Sequence, residues 1–250
     1  MLELISIPDI LPWHLCLGLI VLSCFTSMLT ASVGIGGGLL MLATLAQLIP
    51  VKAIIPVHAA IQLGSNSGRA LIMLKEVRWD ILAWFFAGSV LGAIAGGRLA
   101  INLPIEFLQG LLGSFILFSV WGPKLRGFAN NKLALVFGGA ISTFLTMLVG
   151  ATGPFVTALF RTIKLNRLTL VATSAAALII QHGVKIFVFG LLGFNFAPYG
   201  WLIGAMVVSG FIGTLVGRRT LVKIGEDRFQ WCLNIALSLL AIRLIYITLI

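Results

Sequence analysis

Apolar residues run in stretches of about twenty along most of the chain, and polar residues gather in the short gaps between them. Ten helical elements are expected, at 13–33, 37–49, 53–74, 81–101, 105–122, 132–149, 153–163, 168–190, 197–217 and 229–249. Helices are the expected form because hydrocarbon cannot hydrogen-bond an open strand edge. Eight of the ten are long enough to cross a bilayer. The second and seventh are too short, since at 1.5 Å per residue they reach only about 16–20 Å. Each follows a break: Gly34-Ile35-Gly36-Gly37-Gly38 before one, Gly150-Ala151-Thr152-Gly153-Pro154 before the other.

Composition narrows the class. The 250 residues are 60% hydrophobic and 10% charged, against about 25% charged in an average soluble domain. This excludes an ordinary soluble enzyme, a disordered chain and a nucleic-acid-binding domain, and leaves an all-α polytopic membrane protein. The three cysteines, Cys16, Cys24 and Cys232, lie in apolar segments with no CxxC spacing and read as small core hydrophobes. Glu3 and Asp9 stand before the first apolar stretch with no Lys or Arg. That stretch is therefore expected to stay in the mature protein rather than serve as a cleaved signal.

The sequence repeats itself. Leu29-Thr30-Ala31-Ser32-Val33-Gly34-Ile35-Gly36-Gly37 aligns with Leu145-Thr146-Met147-Leu148-Val149-Gly150-Ala151-Thr152-Gly153, with five of nine pairs identical. Asn66-Ser67-Gly68 then falls on Gln181-His182-Gly183, and Gly92, Gly96 and Arg98 fall on Gly213, Gly217 and Arg219. A single transmembrane domain over 1–250 is expected, with repeat 1 at 13–122, repeat 2 at 132–249 and the polar loop 123–132 between them. Gly88-x3-Gly92-x3-Gly96 and Gly213-x3-Gly217 read as close-packing helix faces.

Charge bears on topology. The chain has 17 Lys and Arg against 7 Asp and Glu, a net charge of +10. Arg69, Lys185 and Arg243 lie within helices, which leaves 14 cations in loops or at helix ends. If each long-plus-short pair made one crossing, these would split five to nine between the two faces. If each pair is a hairpin returning to the side it left, the split is twelve to two, with only Lys52 and Arg98 on the poorer face. The positive-inside rule favours the hairpin. Five elements per half then make the halves inverted repeats, each with a broken, re-entrant helix pair and with about eight full-length transmembrane helices in all. Both termini are expected outside, and inverted repeats with broken helices are a transporter architecture. Trp13, Trp79, Trp121, Trp201 and Trp231 fall where an aromatic belt would lie.

Candidate chemistry centres on the two breaks. A break within the membrane leaves backbone N–H groups without partners at the start of the short helix, where the helix dipole is positive; together these make an anion site. Gly36, Gly37 and Gly38 let the backbone approach a ligand, while Thr152 is suited to cap the second short helix behind Gly153, with Pro154 in its first turn. The alternative is that the glycines only permit tight helix crossing. On the third element His58, Gln62, Asn66 and Arg69 share one helical face, and the eighth carries Thr173, Ser174, Gln181, His182 and Lys185. Arg69 and Lys185 are read either as intramembrane cations facing a pathway or as snorkelling side chains, and the histidines as pathway groups or as packed interhelical hydrogen bonds. His58, Gln62 and Arg69 are candidates for gating or proton relay. All seven acidic residues lie at helix ends or in loops, so the interior set of amide, hydroxyl, imidazole and cation suits an anion. No metal-ligand, catalytic or nucleotide-binding constellation is evident, and no enzyme activity or cofactor is expected.

The Gly34-x-Gly36-Gly37-Gly38 break, the helix carrying Asn66 and Gly68, and the glycine-spaced helix ending Gly96-x-Arg98-Leu99 resemble the TauE/SafE family of sulfite exporters, over about residues 15–245. The resemblance implies an inner-membrane transporter of sulfite, sulfoacetate or related organosulfur anions. The second break departs from it, with Thr152-Gly153-Pro154 where the first half has three glycines. The expected function is secondary transport, as an exporter, of small sulfur-containing anions such as sulfite or organosulfonates. Gly36, Gly37, Gly38, Asn66, Thr152, Gly153, Gln181, His182 and Lys185 are expected to bind the anion, with a proton or sodium as coupling ion. The alternative is a passive anion channel, or a transporter of another small carboxylate or oxyanion.

Overall fold

The computed structural model describes residues 11–33, 36–100, 102–122, 131–163, 165–220 and 226–249. Glu3 and Asp9, Gly34 and Ile35 of the first break, most of the loop between the halves, and Lys124, Arg126, Lys164 and Lys223 lie outside the described residues. Ten α-helices and no β-strand occur among the described residues: α1 (Trp13–Val33), α2 (Gly37–Leu48), α3 (Val51–Ile72), α4 (Trp79–Ala100), α5 (Ile105–Trp121), α6 (Lys132–Val149), α7 (Gly153–Arg161), α8 (Arg167–Leu191), α9 (Gly200–Thr220) and α10 (Glu226–Leu249). Each predicted element is present to within a few residues. The largest difference is the ninth, whose expected first turn is a 3₁₀ turn at Ala197–Tyr199.

Six helices are both long and apolar enough to cross a membrane: α1, α4, α6, α8, α9 and α10. By length alone, eight elements are expected to cross. The two others are α5, at 17 residues, and α3, which has 22 residues but carries the polar stripe that lowers its hydropathy. The outward faces are apolar, with Phe86, Leu91, Phe137, Val208 and Leu239 exposed. A soluble protein rarely shows such a surface, whereas hydrocarbon covers it without penalty. Trp13, Trp79, Trp121, Trp201 and Trp231 are all exposed and stand at or near helix ends. Cys16 is buried as a core hydrophobe, but Cys232 is exposed on the outer face of α10, which corrects its placement in the core. Exposure here is to the apolar phase, so hydropathy alone does not separate it from burial.

Small residues set the two tightest helix pairs. A Cβ at Gly92 would meet the main chain of Ala140, and one at Gly96 that of Phe144, so α4 lies directly on α6. In the other pair, Gly213 meets the main chain of Cys24 and Gly217 that of Met28, so α9 lies on α1. The offset that aligns Leu29 with Leu145 also relates Cys24 to Ala140 and Met28 to Phe144, so both crossings use equivalent positions. Hydroxyls add to the second crossing: Ser23 Oγ donates to Met206 O at 2.7 Å and Ser209 Oγ to Ile20 O at 2.6 Å. Between these pairs α3 packs on α8, and the short helices α2 and α7 pack on α3 and α8 respectively.

Gly92→Ala and Gly213→Ala are each expected to destabilise the protein by about 1–3 kcal/mol, because main chain cannot yield to a new methyl group. Gly204→Ala on α9, with nothing near its Cβ position, should be neutral or slightly stabilising. Melting temperatures in detergent check this, and equal losses at all three glycines would contradict it.

Candidate functional site

The first break begins where α1 ends. Gly36 has φ 101°, a left-handed conformation that suits glycine, and α2 starts at the next residue. A side chain at Gly36 would also strike Leu233. Gly37 is forced to be glycine by α1: its Cβ position coincides with the main-chain oxygen of Thr26. The close approach at Gly37 therefore serves packing rather than a ligand. Gly38 lies against the Gln62 amide, 3.0 Å from a Cβ position to Nε2. His58 Nε2 donates to Gly38 O at 2.9 Å and ties the start of α2 to α3.

The second break is held differently. Gly150 closes α6 at φ 82°. Lys185 Nζ donates to Gly150 O at 2.7 Å and to Thr146 Oγ1 at 2.9 Å. A cation at the carbonyl end of a helix opposes the negative end of the dipole. Thr152 precedes α7, but its hydroxyl does not cap that helix as expected. It donates instead toward Ser142 O and Gln181 Oε1, each at 3.2 Å. Gln181 Nε2 in turn donates to Ser142 Oγ at 2.8 Å and Thr143 Oγ1 at 3.0 Å. The amide of Gln181 thus takes over the cap hydroxyl and locks the break to α6 and α8. Pro154 lies in the first turn of α7 as expected.

Between the two breaks lies a cavity of about 50 Å³. A single water needs about 10–15 Å³ on this measure, so a few waters or one compact anion fit. The wall brings together Gly36 and Gly38 of the first break, Thr152, Gly153 and Pro154 of the second, the whole α3 stripe of His58, Gln62, Asn66 and Arg69, and His182 from α8. Gly37, Gln181 and Lys185, also expected to bind the anion, are not on this wall; they stand behind it. Thr30, Thr157 and Ser174 complete the polar part of the lining. Thr30 and Thr157 do not stand out in the sequence, because a lone hydroxyl on an apolar helix carries no signal. Ser174 was visible as a neighbour of Thr173, but nothing distinguished the two.

Charge and hydrogen bonding in the cavity are one-sided. Arg69 is only 3% exposed and Lys185 fully buried, so neither snorkels. Arg69 Nη2 donates to Asn66 Oδ1 at 3.0 Å and toward Ser65 Oγ at 3.4 Å. Asn66 Nδ2 donates to Gln62 O at 2.7 Å, which turns its oxygen to the guanidinium. Arg69 Nε, Ser174 Oγ, His58 Nδ1 and His182 Nδ1 are buried without a hydrogen-bond partner. No carboxylate lines the cavity among the described residues, and the ion pair among them is the exposed Arg78–Asp80. Arg69 on the wall, Lys185 behind it and the unused polar groups form a site that favours negative charge.

The sequence model of a family described as sulfite exporter TauE/SafE matches residues 19–244. Neither a curated protein nor a solved structure matches the chain.

The site divides into a locking set and an open set, and stability separates them. Gln181→Leu leaves three hydroxyls short of a partner and is expected to lower stability by about 1–3 kcal/mol. Ser174→Ala removes a group that bonds nothing and should change stability by less than about 0.5 kcal/mol. Thermal unfolding of both variants without added anion checks the division, and a larger loss at Ser174 would contradict it.

Proposed function

The chain belongs to the sulfite exporter TauE/SafE family, and from that premise we propose that it is a secondary transporter of small sulfur-containing anions such as sulfite or organosulfonates. It works as a multi-pass protein of the inner membrane, exports its cargo, and catalyses no chemical reaction. The observation that carries this reading is the pair of buried cations, Arg69 and Lys185, with no carboxylate on the cavity wall among the described residues.

The roles follow from position. Backbone donors at the start of α2, around Gly36 and Gly38, and at Gly153 face the anion with positive dipole ends. Arg69 gives the charge and Asn66 orients it. Ser174 and His182 add directional hydrogen bonds, while the Thr152 hydroxyl is held by Ser142 and Gln181. Gln181 and Lys185 hold the second break in shape, so their role is positioning rather than contact. A compact oxyanion fills the cavity as it stands, and a larger sulfonate requires the walls to part.

Movement comes from the architecture. The halves act as inverted repeats, with α1–α2 and α6–α7 as re-entrant pairs, about eight full-length helices in all with α1 and α6 among them, and both termini outside. The equivalent glycine contacts of α4 on α6 and α9 on α1 support this duplication. Rocking of one half against the other exposes the shared cavity to each side in turn.

Sulfite or a related oxyanion is expected to raise the melting temperature of the purified protein. Arg69→Gln should weaken binding about ten- to a hundredfold, the scale of a lost charged hydrogen bond. In reconstituted vesicles the flux should saturate with anion concentration and fall with the same variant. Unsaturable conductance would identify a channel instead, and an anion that binds Arg69→Gln as tightly as wild type would overturn the site.

A further inference from the structure

His58 and His182 meet edge to face across the α3–α8 contact, with ring centroids 5.8 Å apart. Both line the cavity and both are buried, at 1% and 3% exposure. The bond from His58 Nε2 to Gly38 O settles which nitrogen of that ring carries a proton, since a carbonyl only accepts. His182 Nδ1 and His58 Nδ1 both lack a hydrogen-bond partner, in a protein whose other interior amides and hydroxyls are mostly bonded. A packed structural histidine would use that nitrogen. An unused imidazole nitrogen at a buried cavity is a place for a proton or for a ligand atom.

The surrounding charges determine when a proton can stay there. Arg69 on α3 and Lys185 on α8 are the buried cationic side chains of the two helices that carry the rings, among the described residues. On the helices packed against α3 and α8, charge is held at exposed ends: Asp80 and Arg98 on α4, Glu106 on α5, Lys132 on α6, Arg161 on α7, and Arg218 with Arg219 on α9. Lys52 and Arg167, at the starts of α3 and α8, are exposed too, and Lys75 and Glu76 follow α3 outside the cavity. Among the described residues no buried carboxylate offsets a third positive charge, so a proton has no counter-charge in the empty cavity. An anion in the cavity reverses the local field and attracts it.

We propose that His58 and His182 together hold one proton that loads only with the anion, so that the protein carries an anion and a proton as a pair. This rests on the anion reading of the cavity. Coupling is reciprocal: the anion draws in the proton from solvent, and the proton tightens the anion by the same factor.

The test is calorimetric titration of the purified full chain with sulfate and with sulfite, in two buffers of different ionisation enthalpy. The proton uptake belonging to sulfite itself is subtracted. Wild type should take up about one proton per anion, and its affinity should weaken about tenfold per pH unit as pH rises. His182→Gln should still bind anion, with uptake near zero and affinity independent of pH. His14→Gln, at the exposed start of α1, should behave as wild type. If His182→Gln folds poorly, wild-type uptake decides alone. Anion binding without proton uptake, binding that follows sodium rather than pH, or unchanged uptake in His182→Gln would overturn the pairing and leave the anion site standing. Failure of either anion to bind would overturn the anion reading first, and this one with it.

Discussion

Two cations are buried deep among membrane-spanning helices, with no buried acid to meet them among the described residues. A cationic side chain near the centre of a bilayer-spanning helix costs about 2.5–3.5 kcal/mol on insertion scales. Arg69 and Lys185 offset that cost in different ways. Lys185 gives its protons to a carbonyl and a hydroxyl at the end of α6, where the helix dipole welcomes it. Arg69 is bonded through one terminal nitrogen to Asn66 and Ser65, and its Nε bonds nothing. The first cation is spent on structure. The second keeps capacity for a ligand, and the rest of the cavity is arranged around it.

That arrangement needs two helices to stop inside the bundle. Gly150 closes α6 and Gly36 opens α2, both at positive φ, and the short helices start facing the cavity. Broken backbone is tolerated at membrane depth only where protein covers it. The cover comes from α3 and α8, which are too polar on one face to sit in lipid and therefore pack against each other. Close glycine contacts of α4 on α6 and of α9 on α1 clamp the outer helices around this centre. Polar stripe, break and clamp are thus one solution to a single problem of unsatisfied polar groups.

Most of the helical layout was legible in the sequence. Hydropathy and turn residues place all ten helices to within a few residues, because in hydrocarbon an apolar stretch has few other forms. The glycine spacings on α4 and α9 were read as packing faces, and they are. The α3 stripe was legible too, since residues four apart share a helix face. Which cavity residues stay open was not. Gln181, Lys185 and His182 lie within two turns of one another, and only three-dimensional placement shows two of them locking a break and the third facing the cavity. Thr152 looked like a helix cap by position, but the amide of Gln181 competes successfully for its hydroxyl. Local rules describe a residue against its neighbours in sequence, and these residues are decided by neighbours far along the chain.

The central claim is that an anion rests between the two breaks beside Arg69. Selenite is a heavier analogue of sulfite with a strong anomalous signal, so crystals grown with it give the most direct measurement. The account predicts an anomalous peak within hydrogen-bond reach of Arg69, Ser174 and His182. A well-ordered peak elsewhere in the bundle, or an empty cavity at a selenite concentration that saturates binding in solution, would contradict it.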